Sequence, residues 1–276
     1  MTSRILLPLL LLCVRLAAAD RFNVTAQRWK LSTGSSSALI AFAKTNGLRP
    51  VDVEVLSVTP RRYAAVFVDN RPPNSMPWFW YESVTFEELT ELTRRDDARA
   101  IDWETIFPPK IIPDPVYTAV AVANVGPAAK VWYYYTNVPA NGIESILMET
   151  KTKVVDLDSF FPGFHPRRLY NLLMVPNEDA DRADSFVFSG LGVRAIEKLL
   201  KDRGARLVDM EREEDGVYAG VMERIVVPVK WLWVRGLTMK RLELMTTRRE
   251  MRVYDLEVYT IGKSVRYDAL MIKNKL

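Results

Sequence analysis

Apolar residues along this chain fall into short runs with a period of two, interrupted once per cycle by a stretch with helical spacing. The clearest runs begin with Tyr: Tyr63-Ala-Ala-Val-Phe-Val, Tyr117-Thr-Ala-Val-Ala-Val, Tyr170-Asn-Leu-Leu-Met-Val, Tyr218-Ala-Gly-Val-Met and Tyr267-Asp-Ala-Leu-Met-Ile. Their β-branched and aromatic content predicts strands. Two positions after the Tyr stands a small residue in four copies (Ala65, Ala119, Gly220, Ala269), with Leu172 as the exception, which predicts close packing by a helix over that face. An aromatic strand follows each Tyr strand after a loop: Trp78-Phe-Trp80-Tyr, Trp132-Tyr-Tyr-Tyr135, Phe186-Val-Phe188 and Trp231-Leu-Trp233, with Trp29-Lys-Leu31 a weaker first copy. Next comes the helical spacing, as in Phe86, Leu89 and Leu92 or Ile196, Leu199 and Leu200. Thr85 is placed to cap a helix start and Gly204 to end one.

The polar positions repeat in step. A basic residue, two spacers and Asp-x-Asp/Glu occur as Arg49…Asp52, Glu54; Arg99…Asp102, Glu104; Lys153…Asp156, Asp158; Arg206…Asp209, Glu211; and Arg252…Asp255, Glu257. The first aspartates are 50, 54, 53 and 46 positions apart, the mark of one supersecondary unit used repeatedly. The unit reads strand, strand, helix, strand, an α+β fold of about five tandem repeats with antiparallel sheets. Units are expected near 22–61, 62–115, 116–168, 169–216 and 217–265, with 266–276 as a closing strand. Because the two ends then hold complementary pieces of one unit, 266–276 is expected to complete the first and close an αβ-propeller-like ring. A degenerate strand at Phe22–Val24 and an open array are the alternative.

Alternation along a strand puts Asp52 and Glu54 on one face and Val51, Val53 and Val55 on the other. Five acidic pairs in register have three readings: a device satisfying backbone donors or a basic neighbour, a general acid and base such as Asp102 and Glu104, or a calcium site. Repetition in every copy favours the structural device, since a catalytic pair is needed once. Trp78, Trp80, Tyr133, Tyr135, Trp231 and Trp233 are likewise either packing residues or a platform facing a ligand such as a sugar ring.

The N-terminus changes what counts as the folded chain. Arg4, an apolar stretch from Ile5 to Val14 and Ala17-Ala18-Ala19 have the order of a secretory signal peptide over 1–19, leaving a single tandem-repeat domain at 20–276. Cleavage would remove the one cysteine, Cys13, so the core alone must hold the domain. Without Arg4 and Arg15, 36 basic residues face 34 acidic ones, which gives no support for nucleic-acid binding. No later apolar run is long enough to insert in a membrane. Asn23-Val-Thr25 is the one glycosylation sequon.

The Tyr-x-Ala-Val strand, aromatic strand, helix and Gly204-Ala-Arg-Leu-Val-Asp-Met-Glu211 strand together resemble the N-terminal repeat domain of secreted polyglycine hydrolases and related bacterial tandem-repeat proteins. Tyr117 to Asn124, followed by Gly126-Pro-Ala-Ala-Lys130, carries the same likeness. It spans from about Trp29 to the end. In that family the repeats precede a serine hydrolase domain with a Ser-x-x-Lys motif, in which Lys helps to activate the Ser. No Ser-x-x-Lys occurs here, so the resemblance implies only the repeat domain's role of recognition or support.

Other catalytic parts are missing as well. His165, the one histidine, sits in the Pro/Gly-rich Phe161–Arg168 loop, and there is no Gly-x-Ser-x-Gly elbow, zinc-ligand spacing or phosphate loop. The expectation is a secreted, extracellular, non-catalytic domain without metal or cofactor that binds a protein or glycan. A hydrolase, peptidase-like or glycosidase-like, using the strand carboxylates is the alternative.

Overall fold

The computed structural model describes residues 26–72, 75–107, 114–126, 129–162, 167–178, 182–226 and 228–274. The expected signal peptide, Asn23 and His165 lie outside them. Five units follow one another. The first is β1 (Trp29–Gly34), α1 (Ser36–Asn46), β2 (Leu48–Val58) and β3 (Arg61–Asp69). The second is β4 (Trp78–Val84), α2 (Phe86–Arg95), β5 (Ala98–Ile106) and β6 (Val116–Ala123). The third is β7 (Tyr133–Pro139), α3 (Ala140–Thr150), β8 (Thr152–Phe160) and β9 (Leu169–Pro176). The fourth is β10 (Ser185–Gly192), α4 (Val193–Arg203), β11 (Ala205–Glu214) and β12 (Val217–Arg224). The fifth is β13 (Trp231–Leu237), α5 (Met239–Arg249), β14 (Met251–Ile261) and β15 (Ser264–Lys273).

Each unit is one antiparallel three-stranded sheet. In all five the Tyr strand lies in the middle, with the aromatic strand on one side and the acidic strand on the other, as in the order β1-β3-β2. The sheets thus group the elements differently from the sequence reading, which began each unit at the Tyr strand. The cause is a hairpin: β2 and β3 pair from Leu48↔Asp69 to Val58↔Arg61, and two residues join them. The terminal strand is corrected with it. β15 pairs with β13 and β14 in its own sheet rather than completing the first.

The Tyr strand is buried on both faces, which explains its unbroken apolar run. Tyr63, Ala65 and Phe67 pack beneath Leu39 and Ala43 of α1, together with Ile101, Val120 and Val122 of the second unit. Ala64, Val66 and Val68 on the other face pack against Leu242, Leu256 and Ala269 of the fifth. Corresponding clusters join the second unit to the third, the third to the fourth, and the fourth to the fifth. Each core is therefore an interface between consecutive sheets, closed over by the helix of the earlier one. At Gly220 the close packing comes from another source than a helix. A Cβ there would stand 2.5 Å from the carbonyl oxygen of Asp209 on the neighbouring strand.

The helix signals hold. Thr85 and Glu88 form a reciprocal capping box at the start of α2. Gly204, at φ 59°, ends α4 in the left-handed conformation that costs glycine little. No helix among the described residues is long and apolar enough to cross a membrane.

Candidate functional site

The acidic strand is an edge strand in every sheet, so one side of its backbone has no partner within the sheet. Those inner edges are brought together: β2 lies against β5, β5 against β8, β8 against β11, β11 against β14, and β14 against β2. Each acidic strand also carries a bulge at the same place, between Pro50 and Asp52, Ala100 and Asp102, Val154 and Asp156, Leu207 and Asp209, and Val253 and Asp255. One extra residue resets the alternation. Arg49, Asp52 and Glu54 consequently stand opposite Val68, Val66 and Ala64, all on one face. Three-residue spacing would otherwise have put the arginine and Asp52 on opposite faces. The expectation that Val51 shares a face with Val53 and Val55 is corrected for the same reason. Val51 packs toward the fifth unit, whereas Val53 and Val55 pack toward the second.

The first carboxylate of the phrase reaches the preceding unit. Asp102 Oδ2 accepts the Val53 backbone N–H at 2.9 Å, and Asp209 Oδ2 accepts that of Leu157 at 3.0 Å. The second carboxylate does the same one step along. Glu211 accepts the Ser159 N–H at 3.2 Å, Glu257 that of Arg212, and Asp158 that of Thr105. Asp158 also accepts from the Thr105 hydroxyl and, at 3.1 Å, from Asn171 Nδ2. Acceptors from one sheet thus satisfy donors on the unpaired edge of the sheet before it. These are backbone donors on a neighbouring unit.

Such crowding perturbs the acids. Burial pushes the carboxyl groups of Glu54, Glu104, Glu211 and Glu257 well above the ordinary range, and mutual repulsion adds to it. The groups that repel Glu54 include Glu104, Glu257 and Glu211, so residues from four units converge. Burial raises Asp158 to about 7, with the Thr105 and Asn171 hydrogen bonds pulling the other way. Asp52, Asp102, Asp156, Asp209 and Asp255 are buried among them. At the start of the same strands, burial lowers the Arg252 guanidinium to about 10, and the like charges of Arg49 and Arg206 act in the same direction. Lys153 instead pairs with Glu223 of the next unit at 2.8 Å. Among the described residues, no group of three or more His, Cys, Asp or Glu is arranged to hold a metal ion.

The Tyr hydroxyls make a second set of junction bonds. Tyr63 donates to Glu82 and shares a hydrogen bond with Thr118, both in the second unit; Tyr218 donates to Asp268 of the fifth at 2.7 Å.

The aromatic candidates divide. Trp78 and Trp80 pack in the junction of the first and second units, and Trp231 and Trp233 in that of the fourth and fifth. Tyr133 and Tyr135 are 40% and 37% exposed. Register explains the split. Trp80 stands opposite Val120 and Tyr134 opposite Leu173, equivalent positions three residues beyond the Tyr, so Trp132 and Tyr134 are the inward pair of the third unit. Tyr134 meets Phe86 of α2 edge-on at 4.9 Å and shares a hydrogen bond with Thr90.

The same alignment locates two positions that were not singled out from the sequence. Trp80, Tyr134 and Trp233 fill the groove beneath the preceding helix, but Leu31 and Val187 occupy the corresponding places in β1 and β10. Clefts open at those two junctions. One of about 340 Å³ lies between α3 and β10, lined by Ile143, Glu144, Leu147, Val187 and Arg203. Another of about 470 Å³ lies between α5 and β1, lined by Leu31, Glu243, Thr247, Glu250 and Asn274. None of the ten repeat carboxylates lines either cleft. The sequence signal was an aliphatic residue in place of Trp or Tyr at Val187 in Phe186-Val-Phe188 and at Leu31 in Trp29-Lys-Leu31.

With the unit defined, comparison with known families is decisive for one stretch. Residues 42–70, from α1 through β2 to the end of β3, match the family model of the polyglycine hydrolase-like structural repeat. The resemblance read from the sequence is borne out there. The other four units share the element order, sheet order and bulge position of the unit that contains this match. No curated protein matches the chain.

Proposed function

We propose that the chain is a non-catalytic binding domain whose five units close into an αβ-propeller-like ring and present their outer strands and helices to an extracellular protein or glycan. In this reading 1–19 directs export. The observation that carries it is the use of the repeated carboxylates: they bind the backbone of the neighbouring sheet, unit after unit. That leaves the chemistry which differs between units, at the outer clefts and helices, to recognise a partner. Closure is supported by β14 lying against β2 and by the core shared by the fifth and first units. Gln27 and Asn274 also exchange hydrogen bonds of 2.9 Å in both directions.

The purified domain, immobilised and exposed to extracellular fluid and to a glycan array, is expected to retain a specific protein or glycan. Substituting Val187→Trp to fill the cleft beside α3, or Leu31→Trp to fill the one beside α5, should reduce retention if that cleft is used. Failure to retain any protein or glycan above a carrier control would overturn the proposal.

A second reading, acid–base hydrolysis, is favoured by the raised carboxyl groups of Glu104 and the neighbouring Asp158. It requires that peptide or glycoside libraries be cleaved by the domain and spared by the Glu104→Gln variant.

A further inference from the structure

We infer that the outer faces of α4 and α5 form a docking surface for an anionic polysaccharide, one carrying uronate or sulfate groups; this rests on the binding-domain reading above. The five helices occupy equivalent places but differ in charge. Arg194, Lys198, Lys201 and Arg203 are exposed along α4, against Glu197 and Asp202. Lys240, Arg241, Arg248 and Arg249 are exposed along α5, against Glu243 alone. By contrast, α2 has Glu87, Glu88 and Glu91 against two arginines, and α3 has two glutamates and no basic residue. The basic helices belong to adjacent units joined by one core, so their charges sum locally although the whole chain is nearly balanced.

Placement gives the surface its form. Arg194, Lys198 and Lys201 are spaced i, i+4 and i+7, and Arg241 and Arg248 are a further i, i+7 pair, so each set runs along one helical face. The repeat along α4 covers about 10 Å of helix axis, suited to a ligand with charges in a row. Lys198 pairs with Asp202, while Arg194, Lys201, Arg241, Arg248 and Arg249 make no ion pair with another described residue. Arginine can meet a carboxylate or sulfate with two parallel hydrogen bonds.

The same faces fit other anionic partners less well. Leu244 is the one exposed large apolar side chain on the two helices, which leaves little to enter a bilayer. Neither helix carries an aromatic side chain on which unpaired bases could stack. A flexible chain of acidic sugars needs neither feature.

The test uses the full domain and heparin, a sulfated uronate polymer, by titration calorimetry in about 0.15 M salt. Binding is expected, with affinity falling linearly on a log–log plot against salt as counterions are released. The triple variant Arg194→Glu, Lys201→Glu, Arg241→Glu should weaken it at least about tenfold, because repulsion replaces attraction at three contacts. The triple variant Lys44→Glu, Arg62→Glu, Arg94→Glu makes the same change in net charge elsewhere and should leave affinity within about twofold. All six positions are exposed, and a circular dichroism melt confirms that each variant folds. An Arg194→Gln, Lys201→Gln, Arg241→Gln variant should lie between wild type and the charge-reversed form. Absence of heparin binding, equal losses in the two charge-reversed variants, or tighter binding to duplex DNA or to phosphatidylserine vesicles would each overturn the inference. Specific capture of another partner would stand unaffected by such a result, so the two proposals fail separately.

Discussion

The inner and outer edges of the five sheets follow opposite rules. Along the inner edge every unit repeats the same bulge, the same basic position and the same acidic pair, and the chain holds these residues buried, or half-buried at Lys153, Arg206, Glu104 and Glu211. Along the outer edge the equivalent of Trp80 changes from Leu to Trp, Tyr, Val and Trp, and the covering helix ranges from acidic to strongly basic. Uniformity marks the work of holding neighbours together, because every junction has the same exposed backbone to satisfy. Variation marks surfaces released from that work. In a repeat protein the chemistry that recurs in every copy is therefore the weaker pointer to a binding site, and the exceptions between copies are the stronger one.

The largest effect should come from breaking the inner edge by steric means. Gly220→Val would place a side chain against the Asp209 carbonyl and is expected to destabilise the domain by about 3 kcal/mol, read from urea unfolding. A loss below about 0.5 kcal/mol would show that the strands are free to separate there.

Removing the edge acceptors should cost somewhat less. Asp102→Ala and Asp209→Ala each strand a buried backbone N–H, for about 2 kcal/mol apiece. Near-equal losses would support a common device, and a large inequality would mark one unit as special.

The third prediction concerns pH. The raised carboxyl groups bind protons in the folded state that the unfolded chain has already released, so stability is greatest below the ordinary carboxylate range. It should fall as pH rises from about 4.5 through about 7, the value for Asp158, and level off above the folded-state values. Thermal melts of wild type and Glu54→Gln should diverge in that window, the variant being the more stable at pH 8. Parallel curves would mean that Glu54 does not share the charge burden.

At the outer edge the effect should be smallest. Val187→Trp is expected to change stability by under about 1 kcal/mol, since the cleft beside α3 has room for the ring. A loss above about 2 kcal/mol would show that the groove is not equivalent to the one Trp80 fills.

Much of this contrast was legible before any coordinates. Period-two runs beginning at Tyr63, Tyr117, Tyr170, Tyr218 and Tyr267 are the middle strands, and Thr85 and Gly204 cap the helices as their chemistry dictates. Pairing was not legible, because alternation describes one strand and carries no information about its neighbour. The Tyr strand could equally have begun a unit or ended one, and the short β2–β3 connection decided it. The bulge left a trace that was not used. A basic residue and an aspartate three residues apart cannot share a face of a regular strand, yet the chain keeps that spacing five times, with Arg in four copies and Lys153 in the other. Register was also needed to separate the outward Tyr133 and Tyr135 from the inward Trp132 and Tyr134, since three consecutive tyrosines fit either phase. The clefts were hidden for a simpler reason: they are made by what Leu31 and Val187 lack.

The reciprocal bonds between Gln27 and Asn274 have a consequence for connectivity. Residues 247 positions apart along the chain lie within reach of a few-residue tether. A circular permutant joined there, and opened instead between β3 and β4, should keep all five sheets and merely exchange which seam is covalent.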